Sequence, residues 1–221
     1  AIGNEPNGLN INQDCGSTKP RQLQAAVLEH GADLGIAFDG DGDRVVMADH
    51  QGHLLDGDEI LYIIACSRQQ AGMLHGGVVG TVMSNLGLEH ALKRAGIELA
   101  RAAVGDRYVL ELLTARGWQL GGESSGHIIC LDRTSTGDGI VSALQVVTEM
   151  VKRGVSLAEL RAGMSKYPQH MINVPVSGRV NLKEHSPIQA EVHASEQRLA
   201  GRGRVLLRPS GTEPVVRVMV E

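Results

Sequence analysis

The chain has 221 residues, 42% of them apolar, enough to bury a core and too many for a disulfide-stapled miniprotein or a disordered tail. With 21 basic against 25 acidic residues the formal charge is −4, so there is no broad cationic surface to neutralise a nucleic-acid backbone. The aromatic residues, Phe38, Tyr62, Tyr108, Trp118 and Tyr167, are too few for base-stacking platforms or for the girdles of a membrane barrel.

A polar, Gly- and Asn-rich opening leads into residues 21–30, where Leu23, Ala26 and Val27 share one helical face and Gly31 stops the helix. Residues 34–38 read as an apolar strand running into an acidic loop, and residues 45–48 as a second strand. After a turn at His50-Gln51-Gly52, Asp58 is placed to cap a helix over 59–70. Strands at 77–82 and 98–102 alternate with helices at 86–94 and 108–116, the latter with Asp106 as its N-cap. Short strands at 118–120 and 128–131 flank a glycine loop, and helices at 140–152 and 157–164 follow. This alternation predicts α/β layers with mostly parallel strands. From Gln169 the pattern changes to a strand at 171–176, a helix at 187–199 and strands at 204–207 and 215–220, a small α+β domain.

Cys15, Cys66 and Cys130 form no CxxC pair, and an odd number closes no complete disulfide framework, so they read as reduced thiols of a cytoplasmic protein. No apolar run approaches the roughly 20 residues of a membrane-spanning helix. The start AIGNEPNG lacks the basic and apolar parts of a signal peptide, and the absence of an initial Met points to a piece of a longer chain.

The strongest local signal is Asp39-Gly40-Asp41-Gly42-Asp43-Arg44 directly after a strand. Carboxylates on alternate residues, separated by glycines that permit a tight loop, can converge on one hard cation, and Mg²⁺ wants few carboxylates with positions left for phosphate or water. An EF-hand would need Gly and Glu where Arg44 and His50 stand. A solvated acidic turn is the plainer alternative, but carboxylates this close repel unless a cation relieves them. Arg44 suits a phosphate contact, with a local ion pair as its alternative.

A second loop, Gly121-Gly122-Glu123-Ser124-Ser125-Gly126-His127, gathers a carboxylate, two hydroxyls and an imidazole, a set suited to sugar hydroxyls and to proton exchange near neutral pH. Gly122 to Gly126 also fits the GxSxG elbow of a hydrolase, with Asp138 and His170 as later partners, but that elbow requires a helix after the serine and the residues after it read as a strand. The third loop, Arg208-Pro209-Ser210-Gly211-Thr212-Glu213-Pro214 with Arg217 beyond it, offers guanidinium, hydroxyl and backbone donors to a phosphate monoester; a plain turn is the alternative.

In DLGIAFDGDGDR, VGDRYVLE, GGESSGH, TGDGI and RPSGTEP followed by VRVMVE, and in the order of these segments, residues 7–221 resemble the α-D-phosphohexomutases. The resemblance implies mixed βαβ domains of the phosphohexomutase type followed by a small α+β domain: residues 1–54 as the end of the second of four domains, 55–167 as the third, and 168–221 as most of the fourth. The family's phosphorylated serine lies in a Ser-His-Asn-Pro setting in the first domain, which this sequence does not contain.

The implied activity is a mutase interconverting glucosamine 6-phosphate and glucosamine 1-phosphate through a bisphosphate, supplying peptidoglycan precursors, with glucose or mannose phosphates as alternative substrates. By that resemblance Asp39, Asp41 and Asp43 hold Mg²⁺, Arg44 steadies the transferring phosphate and His127 carries a proton. Glu123 and Ser125 bind sugar hydroxyls, while Arg208, Ser210, Gly211, Thr212 and Arg217 clamp the other phosphate. The implied partners are a phosphosugar and the missing N-terminal domain, with neither nucleic acid nor membrane. The competing expectation is a non-catalytic module that binds a phosphosugar or a cation.

Overall fold

The structure, a computed structural model, describes residues 1–178, 181–182, 184–210 and 213–221. The chain divides into two compact units, Ala1–Ser165 and Lys166–Glu221.

The first unit begins with helix α1 (Arg21–His30), ended by Gly31 in the left-handed conformation, and strands β1 (Leu34–Phe38), β2 (Val45–Asp49) and β3 (Leu54–Leu55). Their sheet has the order β1-β2-β3 and both pairings are antiparallel, with Phe38 opposite Val45. The expectation of mostly parallel strands therefore fails here: the short Asp39–Arg44 loop can join only antiparallel neighbours. Leu23 and Val27 of α1 pack on Ala37 and Ala48 on one face of this sheet.

Helix α2 (Gly57–Gln70) is capped by Asp56, whose side chain accepts from the N–H groups of Asp58 and Glu59 while Glu59 Oε2 accepts from the Asp56 N–H. Asp58 is thus not the cap; it lies in the first turn, and its Oδ2 accepts from the Asn85 N–H at 2.8 Å. There follow β4 (Val78–Thr81), α3 (Leu86–Arg94), β5 (Leu99–Ala102), α4 (Asp106–Arg116), β6 (Leu120–Gly122), β7 (Ile128–Cys130), α5 (Gly139–Arg153) and α6 (Leu157–Arg161). Asp106 is the first residue of α4 and makes no cap bond; Gly105 holds the cap position.

The second sheet runs β5-β4-β6-β7, parallel except for the β6–β7 hairpin. Alternate residues face opposite sides, as a pleated strand requires. Val78, Leu120 and Ile128 pack with α2, α3 and α5, whereas Val79, Ala100 and Ile129 pack with Val109 and Leu113 of α4. Val45, Met47 and Leu55 belong to the same core as α2 and α5, so the acidic-loop hairpin is built into this layer. Leu61, Leu92 and Leu120 are fully buried, and truncating any one to Ala should cost about 2–5 kcal/mol.

The second unit contains β8 (His170–Pro175), α7 (Ser186–Leu199), β9 (Val205–Pro209) and β10 (Val215–Val220), in an antiparallel sheet of order β8-β10-β9. Among the described residues no helix is long and apolar enough to cross a membrane. All three cysteines are unpaired.

Candidate active site

The pairing of Phe38 with Val45 closes the acidic loop at its base, and Gly42, at φ 76°, donates to the Asp39 carbonyl inside it. Only a residue tolerant of positive φ fits that turn without strain. Asp39, Asp41 and Asp43 each present a carboxylate oxygen, all within 4.8 Å of one another. Arg44 lies over them: its N–H donates to Asp39 Oδ1 at 3.1 Å, and its Nε stands 3.6 Å from Asp39 Oδ2 and 3.8 Å from Asp43 Oδ1. Those last two are ion-pair rather than hydrogen-bond distances.

Asp43 Oδ1 is buried without a hydrogen-bond donor. Burial pushes the Asp43 carboxyl above its ordinary value; the charge of His127 opposes this, and Asp39 and Asp41 add to the rise. A buried, donor-less carboxylate oxygen beside two more carboxylates is a hard oxygen donor set with excess negative charge. These residues therefore fit a divalent cation such as Mg²⁺.

The Glu123–His127 loop joins β6 to β7, held by bonds from Glu123 N–H to the His127 carbonyl and from Gly126 N–H to the Glu123 carbonyl, each 3.0 Å. The serine of the GxSxG pattern is followed by a strand, as expected, so no nucleophile elbow forms. This loop is tied directly to the acidic one. Val45 N–H donates to the Gly126 carbonyl at 3.1 Å, Arg44 and His127 form an antiparallel bridge, and His127 Nδ1 lies 3.0 Å from Asp43 Oδ2. His127 is 3% exposed, and its Nε2 is buried without a partner. Glu123 is half-buried and Ser125 exposed. Glu123 Oε1 accepts from the Gly105 N–H at 2.9 Å, which ties the start of α4 to this loop, and Gly57 N–H at the start of α2 donates to the Ser124 carbonyl at 3.1 Å.

In the second unit Arg208 and Arg217 stand directly opposite each other across β9 and β10. Like charges in register destabilise a sheet, and an anion relieves that. Arg217 Nη2 donates to Glu213 Oε2 at 3.1 Å, while its Nε is buried with no acceptor. Ser210 N–H donates to the Val215 carbonyl, and Ser210 Oγ accepts from the Glu213 N–H. Gly211 and Thr212 lie outside the described residues.

The acidic and glutamate loops are visible in the sequence, but the bonds that join them are not. Gly57, Gly105 and Gly126 make backbone bonds between segments far apart in the chain; Gly105 and Gly126 lie in the VGDRYVLE and GGESSGH segments, but no residue type there marked their partners. A Cβ at Gly126 would collide with the Val45 backbone.

Three domain models of the phosphoglucomutase/phosphomannomutase family match successive parts of the chain: alpha/beta/alpha domain II over residues 4–52, alpha/beta/alpha domain III over 56–167 and the C-terminal domain over 171–221. The chain belongs to the phosphoglucomutase/phosphomannomutase family. Within it, the chain is 63% identical over 221 residues to the phosphoglucosamine mutase of Methylobacillus flagellatus and 64% identical over 220 residues to that of Nitrosococcus oceani. Each alignment takes in 100% of this chain and 49% of the relative, so the chain spans about half the length of the curated relatives it matches.

Among solved structures, Aspergillus fumigatus N-acetylphosphoglucosamine mutase in complex with GlcNAc-6P and magnesium superposes with a TM-score of 0.76 at 22% identity, over 95% of this chain and 53% of that one. A putative phosphomannomutase from Thermus thermophilus gives 0.62 at 18% identity, over 92% and 45%. At these identities the likeness shows the fold.

Proposed function

We propose that this chain is part of a cytoplasmic, magnesium-dependent phosphosugar mutase that interconverts glucosamine 6-phosphate and glucosamine 1-phosphate for peptidoglycan precursors. It would act through a phosphoserine and a bisphosphate intermediate. The amino-sugar substrate is supported by the identity to enzymes named phosphoglucosamine mutase, and the metal by the acidic loop. The division into residues 1–54, 55–167 and 168–221 belongs to the same reading.

One observation carries it: the contact of His127 with Asp43, which brings the sugar-type loop and the acidic loop to one place within a single compact unit. Asp39, Asp41 and Asp43 would hold Mg²⁺, which when bound neutralises charge on a transferring phosphoryl group. Arg44, already across the carboxylates, would hold phosphate oxygens. Glu123 would accept from sugar hydroxyls with the oxygen that Gly105 leaves free, and Ser125 would add a hydroxyl contact. His127, oriented through Nδ1 by Asp43, would move a proton at Nε2. Arg208, Ser210, Gly211, Thr212 and Arg217 would clamp the phosphate that does not react. Because the chain contains no Ser-His-Asn-Pro sequence, it would by itself bind the phosphosugar without turning it over.

In a protein of the relatives' full length carrying this sequence, Asp41→Asn should lower Mg²⁺-dependent formation of glucosamine 1-phosphate by about 100-fold or more. Undiminished activity would sink the metal assignment. The 221-residue chain should bind glucosamine 6-phosphate calorimetrically and show no phosphoryl exchange.

A further inference from the structure

The TGDGI segment has no role in the reading above, yet it touches both loops. It leads from β7 into α5. Gly139, the first residue of α5, donates its N–H to the Gly42 carbonyl at 2.9 Å, the middle of the acidic loop. A Cβ on Gly139 would lie 2.7 Å from Phe38 Cδ1, 2.9 Å from the Arg44 carbonyl oxygen and 3.0 Å from that of Gly42. The residue thus fills a cradle made by the entry, the turn and the exit of the loop that carries the three aspartates.

Two residues earlier, Gly137 bridges to Ile129 and lies flat against the His127 imidazole, where a Cβ would collide with Nε2 and Cε1 and come within 2.7 Å of Nδ1. Neither glycine has a positive φ, so alanine is conformationally allowed at both and its cost would come from collision alone. Between them Asp138 caps α5, accepting from the Val141 N–H at 2.9 Å. Ala143 and Val146 anchor that helix in the core, so the turn is held from behind.

We infer that the Gly137–Asp138–Gly139 turn is a positioning brace, which sets the acidic loop in its cation-binding geometry through Gly139 and, through Gly137 and the His127 ring, orients Asp43. The inference rests on the metal reading of the acidic loop. Groups that orient ligands in this way typically change metal affinity by about 10–100-fold when altered.

The test is Mn²⁺ binding to the 221-residue chain, followed by electron paramagnetic resonance, together with thermal unfolding. Gly139→Ala and Gly137→Ala should each weaken binding about tenfold or more. Ser142→Ala, which removes only a bond to the Asp138 carbonyl at the same helix start, should bind as the unchanged chain does. The brace is overturned if either glycine variant keeps full affinity, or if Ser142→Ala loses as much. If the unchanged chain binds no Mn²⁺, or Asp41→Asn binds equally well, the metal reading itself fails and takes the brace with it. Should the glycine variants not fold, amide exchange in the unchanged chain decides: Mg²⁺ should slow exchange of the Gly139 N–H severalfold, and an unaltered rate would overturn the brace.

Discussion

His127 Nδ1 stands 3.0 Å from Asp43 Oδ2, across 84 residues of chain. The imidazole gives one oxygen of Asp43 a hydrogen-bond partner, while the other stays buried without a donor, its nearest cation being Arg44 Nε at 3.8 Å. Such a carboxylate costs stability when ionised and gains from a cation.

The folded-state pKa of Asp43 lies above the ordinary 3.8, so the folded chain keeps this proton to higher pH than the unfolded chain does. The contribution of this group to stability therefore falls as pH rises through the folded value. In chelator, Asp43→Asn should unfold at a higher temperature than the unchanged chain, with a gap that widens as pH rises from 3.8 through the folded value and then levels off. Divalent cation should raise the midpoint of the unchanged chain and not that of the variant. Calorimetric scans over pH check both.

Arg208 and Arg217 predict a response to anions. Opposed in register, with Arg217 also paired to Glu213, they offer guanidinium donors from both strands to one anion. Inorganic phosphate at ten times its dissociation constant should stabilise the chain by about 1.4 kcal/mol, and Arg217→Gln should abolish that increment. Equal stabilisation of both proteins in denaturant titrations would show that the anion binds elsewhere.

The Asp56 capping box of α2 gives a purely structural prediction. Asp56→Ala removes acceptors for two N–H groups at a helix start that also donates, through Gly57, to the Ser124 carbonyl. The expected loss is about 1 kcal/mol in urea unfolding. Asp56→Asn or Asp56→Ser should restore most of it.

Burial pushes the thiols of Cys66 and Cys130 up, in Cys66 against a hydrogen bond from Tyr62 and in Cys130 against one from Gln145. Less thiolate is then present near neutral pH, and both should alkylate on the order of tenfold or more slowly than an unstructured thiol. Mass spectrometry of the labelled peptides, with a urea-unfolded control in which the difference disappears, checks this.

Much of the fold was legible where one local signal decided. Residues 21–30, 34–38, 86–94 and 215–220 form the expected elements to the residue, because a capping glycine or asparagine, or a bounded apolar run, sets each one. Local signals misled where two candidates stood close together. Asp58 resembled a cap, but the reciprocal bond available to Asp56 and Glu59 selects Asp56. The antiparallel β1–β2 pairing was written in the shortness of the acidic loop and was outweighed by the βαβ rhythm that follows. At the site, the carboxylates and arginines announced themselves by residue type. The bonds from Gly105 to Glu123, Gly57 to Ser124 and Gly139 to Gly42 did not, since a backbone N–H carries no type and its partner is decided only by tertiary packing.

Strand β2 is buried along its whole length, and its Met47 shares a core with Leu55, α2 and α5. The aspartate-bearing hairpin cannot swing away from the glutamate-bearing one without dragging Met47 and Leu55 into water. Entry and exit of any ligand held between these two loops must therefore leave their spacing unchanged. Gating would have to come from individual side chains such as the exposed Arg44, or from parts of the protein outside this unit.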